Sequence, residues 1–222
     1  MDYIAPSFKR FLAVTRSPYF FMLVLAFCVF SYFFLDRQLS LFLYSAITAQ
    51  QYSIAKLVTK LGEANWYFII LTLATLFFRY IAKSSRGTQI SLFLLLAIAL
   101  PSIGCDIIKF SLGRTRPALL ISEHLYQFTF FKTHTNYLSF PSGHSTLITG
   151  LMLGLCFVFN RFWLLFVLIF LLVSSTRIFI IAHYLTDVIG GMYLSLLIVP
   201  WIYNRWFSNA LPPSQTQALI KI

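Results

Sequence analysis

Apolar positions along the chain gather into six blocks: Tyr19 to Leu35, Trp66 to Ile81, Ile90 to Ile108, Gly143 to Phe159, Phe162 to Ile181 and Leu185 to Tyr203. A helix needs roughly 20 residues to cross a hydrocarbon core of about 30 Å. The pattern therefore predicts an all-α, polytopic membrane protein with six transmembrane helices, residues 1–222 forming a single domain. The second block is short, so Arg79 and Lys83 are expected to snorkel at its end.

Two mixed stretches interrupt the blocks. Between the first two lies "DRQLSLFLYSAITAQQYSIAKLVTKLGEAN", which predicts an interfacial helix around Leu57 and Leu61, with Lys56 and Lys60 toward headgroups. The segment from Ala118 to Phe140 carries Tyr126, Phe128, Phe130, Phe131, Tyr137 and Phe140. Aromatic side chains concentrate at headgroup depth, so this loop is expected on the membrane surface. Basic residues precede the first apolar block without a small-x-small cleavage site after it, which reads as a retained first helix. The last residues, "SNALPPSQTQALIKI", read as a frayed cytoplasmic end.

Composition agrees with the blocks. Hydrophobic residues make up 59% of the chain and charged ones 10%, against about 25% charged in a soluble domain. The net charge of +11, from 17 Lys+Arg against 6 Asp+Glu, fits anionic lipid or a phosphate-bearing substrate. In so apolar a chain it does not point to nucleic acid. Cys28, Cys105 and Cys156 each sit in an apolar run, where cysteine behaves as a small hydrophobe, and their spacing implies neither disulfides nor a metal site.

An inside N-terminus puts Lys9, Arg10, Arg16, Arg79, Lys83, Arg86, Arg161, Arg205 and Lys221 on the cytoplasmic side, leaving Arg37, Lys56, Lys60, Lys109, Arg114, Arg116, Lys132 and Arg177 opposite. Nine stand against eight. Setting aside Lys109, Arg116 and Arg177, which belong to the cluster described next, makes it nine to five and favours cytoplasmic termini.

Ionisable residues beside membrane spans are costly, so their placement is informative. Here they gather at three places: "KFSLGRTRP" after the third block, "PSGH" before the fourth, and "TRIFIIAHYLTD" between the fifth and sixth. Six spans put all three on one face, opposite the termini. Arginine matches phosphate oxygens bidentately and lysine adds a point charge. A Pro-Ser-Gly turn entering a helix offers backbone N–H groups at its positive end. His183 and Asp187 are four apart and would share a helical face, the carboxylate holding the imidazole in one tautomer.

The ordered trio Lys109-x6-Arg116-Pro117, Pro141-Ser142-Gly143-His144 and Arg177-x5-His183-x3-Asp187 resembles the signature of the type 2 phosphatidic acid phosphatase family. That family includes bacterial lipid and undecaprenyl pyrophosphate phosphatases and shares its site with vanadium haloperoxidases. "LVTKLGEANW" is weakly similar to the family's early helical segment, and Thr176 stands where the family usually has serine. The resemblance implies that His183 attacks phosphorus to form a phosphohistidine, that Asp187 orients it, and that His144 protonates the leaving alkoxide and then activates water. Lys109, Arg116, Arg177, Ser142 and the Gly143 amide would hold the non-bridging oxygens, with no cofactor and no metal required.

Other assignments follow from position alone. Arg114 is expected to touch lipid headgroups, Asp106 to pair with Lys109, and Glu123, His124 and His134 to be solvated. Paired histidines ligating haem are disfavoured by the surrounding cations. A lipid phosphotransferase using the same intermediate, or a non-catalytic lipid-binding or transport protein, are the alternatives. The substrate candidates are phosphatidylglycerol phosphate, undecaprenyl pyrophosphate, phosphatidic acid and lipid A 1-phosphate, taken at the extracytoplasmic face of a bacterial inner membrane.

Overall fold

A computed structural model describes residues 5–208. Its helices are α1 (Pro6–Thr15), α2 (Pro18–Phe34), α3 (Asp36–Ala46), α4 (Ala49–Thr59), α5 (Ala64–Leu76), α6 (Ser85–Leu112), α7 (Pro117–Glu123), α8 (Gly143–Val158), α9 (Trp163–Phe179) and α10 (Leu185–Ile202). Among the described residues no strand forms; Arg114 and Phe128 make an isolated bridge. Lys221 and the tail beyond Ser208 lie outside the described residues.

Local chemistry sets the helix starts. Ser17 caps α2 by accepting from the Phe20 amide (3.2 Å), with Pro18 at the first helical position, where its missing N–H is not needed. Thr48 and Gln51 form a reciprocal capping box at α4. Short π-helical turns, Phe77–Ile81 and Tyr203–Phe207, follow α5 and α10.

Four helical runs are long and apolar enough to cross a bilayer: Ala49–Ile81, Ser85–Leu112, Asn160–Phe179 and Leu185–Phe207; α1 and α2, bent by 57°, add a fifth if taken as one. The chain is a multi-pass membrane protein. The mixed stretch before the second expected span is divided into α3 and α4, and α4 runs on toward α5 within the 33-residue run.

The buried centre is α8, packed by α6, α9 and α10. Its 16 residues extend only about 24 Å, less than the hydrocarbon thickness. Longer helices encase it, and 12 of its 16 residues are buried. Close contact with α6 depends on Gly150: a Cβ there would lie 2.3 Å from the Ala97 carbonyl oxygen. Small residues at such crossings let backbones approach where no hydrophobic force separates protein from lipid. At the far end of α8 an aromatic cluster closes the bundle, with Phe157 stacked on Tyr203 (4.3 Å) and edge-on to Phe8 (5.3 Å).

Candidate active site

The three sequence clusters converge around the first turn of α8. Gly113 ends α6 in the left-handed region (φ +59°), its N–H bonded to the Lys109 carbonyl (2.9 Å). That reversal keeps Lys109 in the last helical turn and sends Arg114 to Arg116 back across the bundle. Lys109 pairs with Asp106 at 3.6 Å, as its spacing predicts. Its ammonium also lies directly over Gly143, where a Cβ would come within 2.8 Å of Nζ.

Ser142 caps α8, its Oγ accepting from the Ser145 amide (3.4 Å), and its own N–H donates to the Asp187 main-chain carbonyl (2.9 Å). The Phe140–Pro141 peptide before it is cis. His144 follows on the first turn, beside Gly62. Arg177, in the last turn of α9, donates from Nη1 to Thr59 Oγ1 (3.1 Å). The main-chain N–H groups of Ala182 and His183 both return to the Arg177 carbonyl (3.0 and 3.2 Å), which folds His183 back beside that arginine.

The His183–Asp187 pair is built differently from the shared helical face expected. His183 precedes α10 in a turn, while Asp187 lies in the helix's first turn and accepts from the Tyr184 amide (2.9 Å). His183 Nδ1 is 2.9 Å from the Ser139 carbonyl and 3.5 Å from Asp187 Oδ2. A carbonyl only accepts, so Nδ1 carries the proton and Nε2 keeps its lone pair. The nearer Ser139 oxygen is the direct orienter. Asp187 stands behind it, receiving Ser139 Oγ on Oδ2 (2.5 Å). Burial above all holds the His183 pKa down to about 4; Asp187 opposes the shift, and Arg116 and Arg177 reinforce it. At neutral pH the ring is uncharged and able to attack.

Arg116, Arg177 and His183 act on one another electrostatically, and Lys109, Arg116, Arg177 and His183 all reach His144. Among the described residues, the Nε–H groups of Arg114, Arg116 and Arg177 are buried without a protein acceptor. Buried donors are nearly always satisfied. Arg114 is already forked between two carboxylates, whereas Arg116 and Arg177 pair with none among the described residues, and beside a bare imidazole nitrogen they suit an anion.

Arg114 requires a correction. Expected at the headgroups, it is 1% exposed and forked between two carboxylates, Asp36 Oδ2 at 2.7 Å and Asp187 Oδ1 at 2.5 Å. Tyr32, Tyr126, Phe128 and Tyr184 surround its guanidinium carbon at 4.4 to 5.5 Å. The charge in that setting is balanced by ion pairs and ring faces, not by lipid. The aromatic loop accordingly faces two ways: Tyr126 and Phe128 turn inward around Arg114, while Phe130 and Phe131 are exposed.

Asp36, Thr59, Ser139 and Thr186 were not singled out by sequence. For Asp36 a signal existed: it is one of six acidic residues and ends an apolar block, a position where a carboxylate requires a partner. Ser139 and Thr59 carry no such mark, because serine and threonine abound at span ends.

A cationic cluster around the first turn of α8, at one end of a helical membrane bundle, is an arrangement suited to a phosphate-bearing ligand. The PAP2 superfamily model matches residues 90–210, and the chain belongs to that superfamily. It is 26% identical over 167 residues to lipid A 1-phosphatase of Rhizobium johnstonii, covering 70% of this chain and 64% of the relative. To lipid A 4'-phosphatase of Porphyromonas gingivalis it is 29% identical over 169 residues, covering 68% of each. The chain thus spans about two thirds of the length of these relatives. The crystal structure of a transmembrane PAP2-type phosphatidylglycerolphosphate phosphatase from Bacillus subtilis shares the fold, with a TM-score of 0.56, 18% identity and 83% of this chain matched to 92% of that one.

Proposed function

We propose that this protein hydrolyses a phosphate group from a membrane lipid through a phosphohistidine at His183. The observation that carries the reading is the bare Nε2 of a buried, neutral imidazole, set beside two guanidinium groups whose Nε donors have no acceptor. Phosphate oxygens would satisfy those donors, while Lys109, Ser142 and the Gly143 amide complete the cradle. Nε2 attacks phosphorus, and the P–O bond to the lipid breaks. His144 donates its proton to the departing oxygen, then takes one from water as that water attacks the phosphohistidine and frees inorganic phosphate. The positive charges stabilise the equatorial oxygens of the transferring group, and proton transfer by His144 contributes about 10²–10⁴ in rate.

Among the substrate candidates, lipid A phosphates rank first, since two relatives named for that lipid align over most of this chain. On this reading there are six spans, with α8 as the short central one, and the site lies at the face opposite the termini, the side that basic-residue bias favours as extracytoplasmic. The reading includes an interfacial placement for the Lys56 and Lys60 region. The test is phosphate release by wild type and His183→Ala on a panel of lipid A, phosphatidylglycerol phosphate, undecaprenyl pyrophosphate and phosphatidic acid at matched detergent mole fraction. Wild type forms an acid-labile, base-stable phosphoenzyme and the variant forms none. Undiminished turnover by the variant removes the nucleophile assignment. Phosphate release without an acceptor lipid separates hydrolysis from phosphotransfer.

A further inference from the structure

We propose that Asp36 is a charge-balancing, positioning residue of the catalytic site, holding Arg114 so that Asp187 keeps a net negative charge behind His183. The inference rests on His183 being the nucleophile.

Asp36 opens α3 and is fully buried. Its Oδ1 accepts from Ser31 Oγ (3.0 Å) and from the Thr186 amide (3.2 Å). Oδ2 accepts from Arg114 Nη2 (2.7 Å) and from Thr186 Oγ1. The Tyr126 hydroxyl, which receives Arg114 Nη2 at 2.8 Å and donates to the Tyr32 carbonyl at 2.7 Å, lies 3.5 Å from the same oxygen. These contacts join the α2–α3 junction to the start of α10, which are distant in sequence, through one guanidinium.

Charge decides what the trio does. Arg114 alone beside Asp187 would make a neutral pair, and the imidazole would face two further cations with no counter-charge. With Asp36 on its other nitrogen, Arg114 sits between two carboxylates and the trio carries one net negative charge. That charge faces His183 through Asp187 Oδ2 (3.5 Å). Attack by Nε2 leaves positive charge on the ring, whose Nδ1 is still protonated. A low-dielectric surround magnifies the benefit of a fixed anion there. Asp36 touches neither the imidazole nor the cationic cradle, so its effect falls on bond making and not on phosphate binding.

The experiment compares wild type, Asp36→Asn, Asp36→Asn/Arg114→Gln and His183→Ala in detergent, following single-turnover phosphoenzyme formation, KM and inhibition by inorganic phosphate. Asp36→Asn keeps the side-chain shape and removes the charge. Its phosphorylation rate is expected to fall by roughly tenfold or more, the equivalent of about 1.4 kcal/mol. KM and phosphate inhibition should stay within roughly twofold, since a group remote from the cradle leaves uniform binding intact. The double variant restores a single net negative charge and should form phosphoenzyme faster than Asp36→Asn. A phosphorylation rate for Asp36→Asn within twofold of wild type overturns the proposal, as does a double variant slower than the single one. If Asp36→Asn is not monodisperse, the double variant decides: phosphoenzyme formation supports the proposal, and a double variant as inert as His183→Ala, or equally unfolded, overturns it. An active His183→Ala removes the nucleophile reading itself. An inert His183→Ala beside a wild-type Asp36→Asn removes only the role given to Asp36.

Discussion

Replacing Arg114 by Met separates the buried role found here from the headgroup role expected of it. The guanidinium is 1% exposed and supplies one donor each to Asp36 and Asp187, both 0% exposed. Met fills part of the aromatic cage but leaves two carboxylates a short distance apart with no cation between them. Breaking a buried ion pair by removing one partner is destabilising by about 3–5 kcal/mol, because the remaining charge stays desolvated. For a chain of this size each kcal/mol moves Tm by about 2–4 °C, so the expected drop is about 6–20 °C. Thermal unfolding of detergent-solubilised protein, followed by size-exclusion fluorescence, measures it. Arg116→Met is the control: among the described residues Arg116 makes no ion pair within 4.0 Å, so it should lose turnover with little change in Tm. A headgroup contact at Arg114 predicts the opposite, a raised KM at constant Tm. An Arg114→Met variant melting within 2 °C of wild type refutes the buried ion-pair role.

Two further outcomes follow from the same coordinates. His183 is buried as the neutral ring with its pKa lowered to about 4, below the ordinary value near 6.5. The unfolded chain therefore binds the proton first as pH falls through 6.5, and the fold loses up to about 3 kcal/mol by pH 4. Unfolding between pH 7 and 4 should show this loss, and His183→Gln should reduce it; phosphoenzyme formation should hold down to about pH 5 and fall through pH 4. Gly150→Ala puts a Cβ 2.3 Å from the Ala97 carbonyl oxygen, whereas Gly154→Ala meets the end of the Leu94 side chain at 2.8 Å. Backbone cannot yield as a side chain can, so Gly150→Ala should be the more destabilising, by about 1–3 kcal/mol; equal melting temperatures refute that reading of the α6–α8 crossing.

What the sequence disclosed and what it hid divide along a physical line. That Lys109, Arg116, Arg177, His144, His183 and Asp187 gather in one place was legible because each is an ionisable group beside an apolar run, where a charge is costly. The helices were legible for the same cause, since apolar blocks of near-bilayer length have few alternatives. Arg114 was misplaced because a charge two residues before Arg116 looks the same in sequence whether it points to lipid or to the bundle. Only the return of the loop through Tyr126 and Phe128, and the arrival of Asp36 from the α2–α3 junction, decide it. The orienter of His183 was hidden more deeply, being the main-chain oxygen of Ser139, a group every residue possesses. A chain that carries so few acids yet buries two of them around one arginine makes that trio the most informative departure from its own composition. In the proposed reaction the cationic cradle holds phosphate, and the anionic trio behind it supplies what the cradle lacks, a counter-charge for the nucleophile as it bonds to phosphorus.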